Sequence, residues 1–194
     1  MNYTIEYYNE NSKEYYQDTF DVNFQKIQES FLNYIPEFSY ILDFGCGSGR
    51  DTKYFLEQGF QVDAVDGSKK LCDIAEAMTS IKVKNMLFQE LDEQEKYDGI
   101  WACASILHLP KLELVEVLKK IVRALKQDGI VYASFKYGEF EGEKDGRYFT
   151  CFTEKTFAQL LENIPELHIK EQWISEDVRE NRGGEQWLNL ILSR

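Results

Sequence analysis

Ile41-Leu42-Asp43-Phe44-Gly45-Cys46-Gly47-Ser48-Gly49-Arg50 is the stretch whose reading decides the fold. It runs apolar, passes one acid and breaks into three glycines at alternate positions, which spells a buried strand followed by a tight turn. Asp51 to Gln58 then reads as a short helix stopped at Gly59, a residue suited to the left-handed position just past a helix end. Strand, glycine turn and helix start set bare backbone N–H groups beside the positive end of a helix dipole. That geometry suits a nucleotide-like ligand whose polar groups come close to the backbone.

Working outward, spacing narrows the ligand. The dinucleotide fingerprint G-x-G-x-x-G would put its third glycine at position 50, where Arg50 stands; the third glycine is Gly49. This disfavours a nicotinamide-dependent oxidoreductase. Gln61-Val62-Asp63-Ala64-Val65-Asp66 reads as a second strand ending in an acid. Such a carboxylate, about 20 residues past the first glycine, accepts hydrogen bonds from ribose hydroxyls in nucleotide-binding βαβ units. Gly67-Ser68 makes a turn and a helix cap, and Leu71, Ile74, Ala75 and Met78 recur at helical spacing.

Composition sets outer limits. At 194 residues with 43% hydrophobic content the chain is expected to form one domain, 1–194, with a real core. No apolar run reaches the length of a membrane helix, and the polar, tyrosine-rich start does not resemble a signal peptide. Cys46, Cys72, Cys103 and Cys151 include no Cys-x-x-Cys pair, and only two histidines accompany them. Free thiols, no metal site and a cytoplasmic location are therefore expected. A net charge of −12 repels polyanions, which weighs against nucleic acid and for a small-molecule partner.

The remainder alternates strands and helices. Phe24, Ile27 and Phe31 share a helical face that ends at Pro36, so residues 1–36 form a helical segment ahead of the first strand. Lys82–Met86 and the apolar Tyr97–Ala104 read as strands three and four. Leu112, Val115, Leu118, Val122 and Leu125 mark a long helix ended by Asp128-Gly129, followed by strand Ile130–Phe135. Tyr137–Thr150, with three glycines, many charges and no period, reads as a functional or a floppy loop. Thr153 is placed to cap a helix, and Leu167–Ile174 and Trp187–Leu192 form an antiparallel pair joined by the polar run 175–186.

Asp43-x-Gly45-x-Gly47-x-Gly49, Ala64–Ser68 and Tyr97–Pro110 resemble, in order and spacing, the motifs of class I S-adenosylmethionine-dependent methyltransferases. Within that superfamily, Trp101–Pro110 and Gly146–Thr150 look like small bacterial tellurite-resistance methyltransferases. The resemblance implies an α/β fold: a Rossmann-like, seven-stranded, mostly parallel sheet with helices on both faces and a C-terminal antiparallel hairpin. It implies S-adenosylmethionine as cofactor and residues 1–36 as a cap over it, with Tyr8 and Tyr15 similar to the family's paired aromatics or else simply packing. By the same resemblance Asp43, Gly45, Cys46 and Gly47 face the methionine moiety, and Asp66 with Gly67 and Ser68 takes the ribose. Gln89, Glu90 and Leu91 border adenine, and Ala102 and Cys103 line the sulfonium end. Arg50 either pairs the cofactor carboxylate or is a solvated helix-start residue.

The methyl acceptor is expected to be a small molecule attacking in line through O, N, S or a metalloid. No Asp/Asn-Pro-Pro-Tyr follows strand four, as amino-methylating DNA enzymes need, and no Pro-Cys nucleophile is present. His108, just past strand four, is a candidate base with a pKa near neutrality, or a loop histidine bonded to backbone. Arg147 and Tyr148 are candidates to orient an anionic acceptor or form a lid. His168, in a late strand far from the sheet's carboxyl edge, is expected to be structural or exposed. The rival to catalysis is a non-catalytic adenosyl-binding module; a monomer or homodimer fits either.

Overall fold

The computed structural model describes residues 3–179 and 183–194; part of the 175–186 connection thus lies outside the described residues. Three short helices lead the chain: α1 (Tyr3–Glu10), α2 (Ser12–Thr19) and α3 (Gln25–Leu32). Then come β1 (Tyr40–Phe44), α4 (Arg50–Glu57), β2 (Gln61–Asp66), α5 (Lys69–Thr79), β3 (Val83–Asn85) and β4 (Tyr97–Ala102). The second half holds α6 (Lys111–Ala124), β5 (Leu125–Lys136), β6 (Glu141–Lys144), β7 (Arg147–Thr150), α7 (Glu154–Leu161), β8 (His168–Glu176) and β9 (Gln186–Ser193).

Seven strands make one sheet in the order β3-β2-β1-β4-β5-β9-β8. The first five run parallel, and β9 pairs antiparallel with both β5 and β8. This is the fold expected from the sequence. Alternation along the central strands feeds two cores, because successive side chains leave a strand on opposite faces. On β5, Val131, Ala133 and Phe135 join α6 and α7 on one face. Ile130 and Tyr132 meet Phe31 of α3 and Phe55 of α4 on the other. There Trp101 stacks on Tyr132 with centroids 4.0 Å apart.

Three boundaries differ from expectation. α6 ends at Ala124, not at Asp128-Gly129, because Leu125 is fully buried and already pairs with Tyr97 of β4. Asp128, with φ 62°, is instead a kink within β5. The third strand is only Val83–Asn85. Tyr137–Thr150 is no floppy loop: β6 and β7 form a hairpin whose turn contains Gly146 at φ +74°. Charge and glycine hid its short alternation. Among the described residues no helix is long and apolar enough to cross a membrane.

The strand order reverses between β1 and β4. Ligands of open α/β sheets bind beyond the carboxyl ends of the strands at such a switch point, and the glycine turn lies there.

Candidate functional site

The turn after β1 works only with glycine. Gly45, Gly47 and Gly49 have φ of +93°, +56° and +90°. A Cβ on Gly45 would lie 2.4 Å from Cβ of Ser105, so the exit of β4 packs directly against the turn. A Cβ on Gly47 would lie 3.0 Å from the Tyr15 ring. Gly49 is the N-cap of α4, which therefore starts at Arg50.

Asp66, at the end of β2, reaches back to this turn. Its carboxylate accepts the backbone N–H of Gly47 at 2.9 Å and of Ser68 at 2.8 Å. Burial nevertheless raises its pKa to about 6, a penalty that the two N–H donors only partly offset. Ser68 caps α5 by accepting from Leu71 N–H and gives its own proton to Asn9.

Two chambers flank this point. The smaller, ≈ 60 Å³, is lined by Asp66 and Gly67 and by the apolar Leu71, Met86, Leu87 and Phe88. The larger, ≈ 180 Å³, runs from Cys46, Ser48 and Arg50 past Cys103 to Lys136, Arg147, Phe149 and Trp187. Tyr8, Tyr15, Gly45, Ala104 and His108 border both. Tyr8 and Tyr15 meet edge to face with centroids 5.3 Å apart.

His108 closes a short 3₁₀ turn, Ile106–His108. Its Nδ1 lies 2.6 Å from the Tyr148 carbonyl and its Nε2 2.9 Å from the Tyr8 hydroxyl. A carbonyl only accepts, so Nδ1 carries the proton and Nε2 accepts from Tyr8. Burial lowers the His108 pKa to about 4, and the charges of Arg147 and Lys136 push the same way. The near-neutral value expected from sequence is thus corrected: His108 is held uncharged.

Among the described residues four cations border the larger chamber, and three are paired. Arg50 grips Asp51 at 2.8 and 2.9 Å and lies 4.3 Å over Phe24. Burial works against charge on Asp51, but Arg50, Trp101 Nε1–H and Gln28 outweigh it and hold its pKa low. Arg179 pairs Asp177, and Lys136 pairs Glu185 at 2.8 Å. Arg147 has no carboxylate among the described residues; its guanidinium stacks 4.3 Å from the Tyr7 centroid and its buried Nε has no hydrogen-bond partner. Such an unmade bond costs about 1–3 kcal/mol.

Several expected site residues point elsewhere. Asp43 lies buried beneath the turn, accepting from the Thr52 hydroxyl, and burial together with the Asp51 charge raises its pKa. It faces neither chamber. Leu91 and Ala102 are core residues, and Glu90 spends its carboxylate on the Leu87 N–H at 2.7 Å. Of the expected adenine border only Gln89 lines the smaller chamber, with Leu87 and Phe88 where Glu90 and Leu91 were expected. The Ser68 side chain is consumed as a cap. Tyr148 turns its ring away, to Glu141, because it alternates on β7 with the inward Arg147 and Phe149; only its carbonyl serves the site. Missed from sequence were Tyr7, Lys136 and Trp187, which no local motif marks, and Phe149, which lies within the Gly146–Thr150 run but was not singled out. Burial raises the Cys103 thiol to about 12, which leaves it no nucleophile.

Comparison with known proteins agrees with this geometry. The methyltransferase-domain family matches residues 41–129. YqeM of Bacillus subtilis, provisionally named a methyltransferase, is 30% identical over 142 residues, 67% of this chain and 53% of that one. The chain spans about half the length of the curated relatives it matches. Among solved structures, a Burkholderia thailandensis 1,6-didemethyltoxoflavin N1-methyltransferase holding 1,6-didemethyltoxoflavin and S-adenosylhomocysteine has a TM-score of 0.70. Its identity is 25%, over 87% of this chain and 75% of that one. TehB of Haemophilus influenzae has a TM-score of 0.71 over 94% of this chain and 67% of its own, but at 15% identity shares the fold alone. The chain belongs to the class I S-adenosylmethionine-dependent methyltransferase superfamily. S-adenosylmethionine is the cofactor that this domain implies.

The donor set fits that cofactor. A carboxylate faces a small chamber with apolar walls, as a ribose diol and a purine require, and polar backbone continues into the larger chamber.

Proposed function

We propose that this chain transfers a methyl group from S-adenosylmethionine to a small-molecule acceptor. The observation that supports it most is the Asp66 carboxylate, already oriented by two backbone N–H groups at the mouth of the smaller chamber. In this reading Asp66 accepts from the ribose hydroxyls, while Leu87 and Phe88 flank the adenine. Gly45, Cys46 and Gly47 present backbone to the methionine tail, and Arg50 guards its carboxylate end. Residues 1–36 act as a cap through Tyr8 and Tyr15, which exclude water from both chambers.

When bound, the cofactor supplies an electrophilic methyl group on a sulfonium centre; the protein contributes alignment. Cys103 and Ala104 border the passage between chambers. Tyr8 and His108 form the proton route: an acceptor X–H gives its proton to the Tyr8 oxygen as Tyr8 passes its own to His108 Nε2. Arg147 orients the acceptor. The runs Trp101–Pro110 and Gly146–Thr150 support a place near the tellurite-resistance methyltransferases, and the 1,6-didemethyltoxoflavin bound by the Burkholderia neighbour supports a small-molecule acceptor.

One observation favours a second reading. Both ring nitrogens of His108 are engaged, so an acceptor that needs no base, or a purely adenosyl-binding role, also fits. Incubation with methyl-labelled S-adenosylmethionine and a panel of phenols, aryl amines, thiols and oxyanions tests the proposal. Labelled acceptor with equimolar S-adenosylhomocysteine is expected. Cofactor binding without transfer anywhere on the panel would favour the binding module, and binding of NAD in place of S-adenosylmethionine would overturn both.

A further inference from the structure

Three groups surround one ring in the larger chamber. The Phe149 centroid lies 5.2 Å from Arg147 Cζ, 5.1 Å from Lys136 Nζ and 5.0 Å from the His108 centroid. Two cations therefore converge beside an uncharged imidazole, in a chain whose net charge is −12. Like charges gathered in a partly buried wall repel, and an anion placed between them relieves that repulsion.

Among the described residues, the carboxylates bordering this chamber do not balance it. Asp51 and Asp177 are committed to Arg50 and Arg179. Glu14, Asp18 and Glu176 lie exposed at the rim. Lys136 shares Glu185, whereas Arg147 faces aromatic rings, has the Tyr8 hydroxyl as a polar neighbour and keeps an orphaned Nε. Water does not reach that nitrogen, so it gains a partner only when the guanidinium swings off Tyr7 toward something in the chamber. A guanidinium fork is matched by a planar carboxylate. The surrounding wall is aromatic: Tyr7, Phe149 and Trp187.

We propose that the acceptor is a small aromatic acid, its ring against this wall and its carboxylate held between Arg147 and Lys136, with the heteroatom to be methylated directed at Tyr8. This rests on the methyltransferase reading and adds the acceptor class to it.

Calorimetric titration of the protein saturated with S-adenosylhomocysteine tests it. The probes are matched pairs: salicylate against salicylamide, anthranilate against anthranilamide, and cyclohexanecarboxylate against benzoate. The acids are expected to bind at least tenfold tighter than their amides, and benzoate tighter than its saturated counterpart. Arg147→Gln and Lys136→Gln should each remove most of the acid preference while leaving amide and S-adenosylhomocysteine affinities unchanged, which separates charge recognition from damage to the fold. Equal binding of acid and amide throughout, no binding by any acid, or an acid preference surviving both substitutions would overturn the assignment. Failure of S-adenosylhomocysteine itself to bind would instead strike the methyltransferase reading, and the same pairs on the cofactor-free protein would then judge the anion site.

Discussion

The two chambers on either side of Tyr8 are built from different material. The smaller has its floor in the glycine turn, the end of the next strand and the apolar run Met86–Phe88, and is closed by α1, Tyr15 and the exit of β4. Its polar groups are already satisfied. The larger takes its side chains from α1, the end of β5, β7 and β9, which are far apart in sequence, and it leaves one buried donor without a partner. A pre-satisfied site suits an invariant cofactor. In the proposed reading, the unsatisfied one leaves its last hydrogen bond for the acceptor.

The strongest way to break that contrast is Asp66→Ala. Hydrogen bonds to a charged group are worth about 1.5–3 kcal/mol each, so losing those to a ribose diol is expected to weaken S-adenosylhomocysteine binding about 100-fold by calorimetry. Unchanged affinity would mean that the smaller chamber is not the ribose site. The same carboxylate sets a pH dependence. Its folded pKa of about 6 leaves it ionised above that value and protonated below it, so affinity should fall as pH drops through 6. For stability the sign is opposite. A raised carboxylate pKa contributes stability that is full below the unfolded value and lost as pH rises through about 6, so the cofactor-free protein loses this share between roughly pH 4 and 6.

Legibility divides along the same line. The parallel sheet, the C-terminal reversal and the Thr153 cap were readable because strand period and cap chemistry are local rules, and Asp66 does reach the glycine turn, through the Gly47 N–H. Ala102 and Tyr148 were misjudged because they sit one residue away from positions that face the chambers, and Leu91 because it lies two past Gln89 and turns into the core. Resemblance carries a motif's location but not the phase of its side chains, which burial decides. The hairpin was hidden for another reason. Tyr148 is fixed by Thr4 through its N–H and by His108 through its carbonyl, contacts that no window of sequence contains.

The larger chamber is tested next through its proton route. General-base contributions run about 10²–10⁴-fold, and because His108 acts through Tyr8 the lower end is expected: roughly 100-fold slower turnover for His108→Ala, with cofactor binding retained. Tyr8→Phe should slow turnover comparably while disturbing binding more, since Tyr8 borders both chambers. His108, with a pKa of about 4, is neutral above that value, so the pH profile of kcat should show no histidine limb near 6.5. A limb there, abolished by His108→Ala, would show that the bound acceptor restores the ordinary pKa.

The smallest effect sharpens the contrast from outside both chambers. Thr153 caps α7 by accepting the Thr156 N–H, and α7 packs Phe157 against Phe152, just beyond β7. Removing such a cap costs about 1 kcal/mol, so Thr153→Ala should lower the melting temperature by a few degrees. S-adenosylhomocysteine affinity should not change, because the glycine turn and Asp66 are fixed by backbone bonds that α7 does not touch. Acceptor affinity should weaken slightly, through loosening of the strand that carries Arg147 and Phe149. Equal losses for both ligands would instead show that the two chambers rest on one shared support.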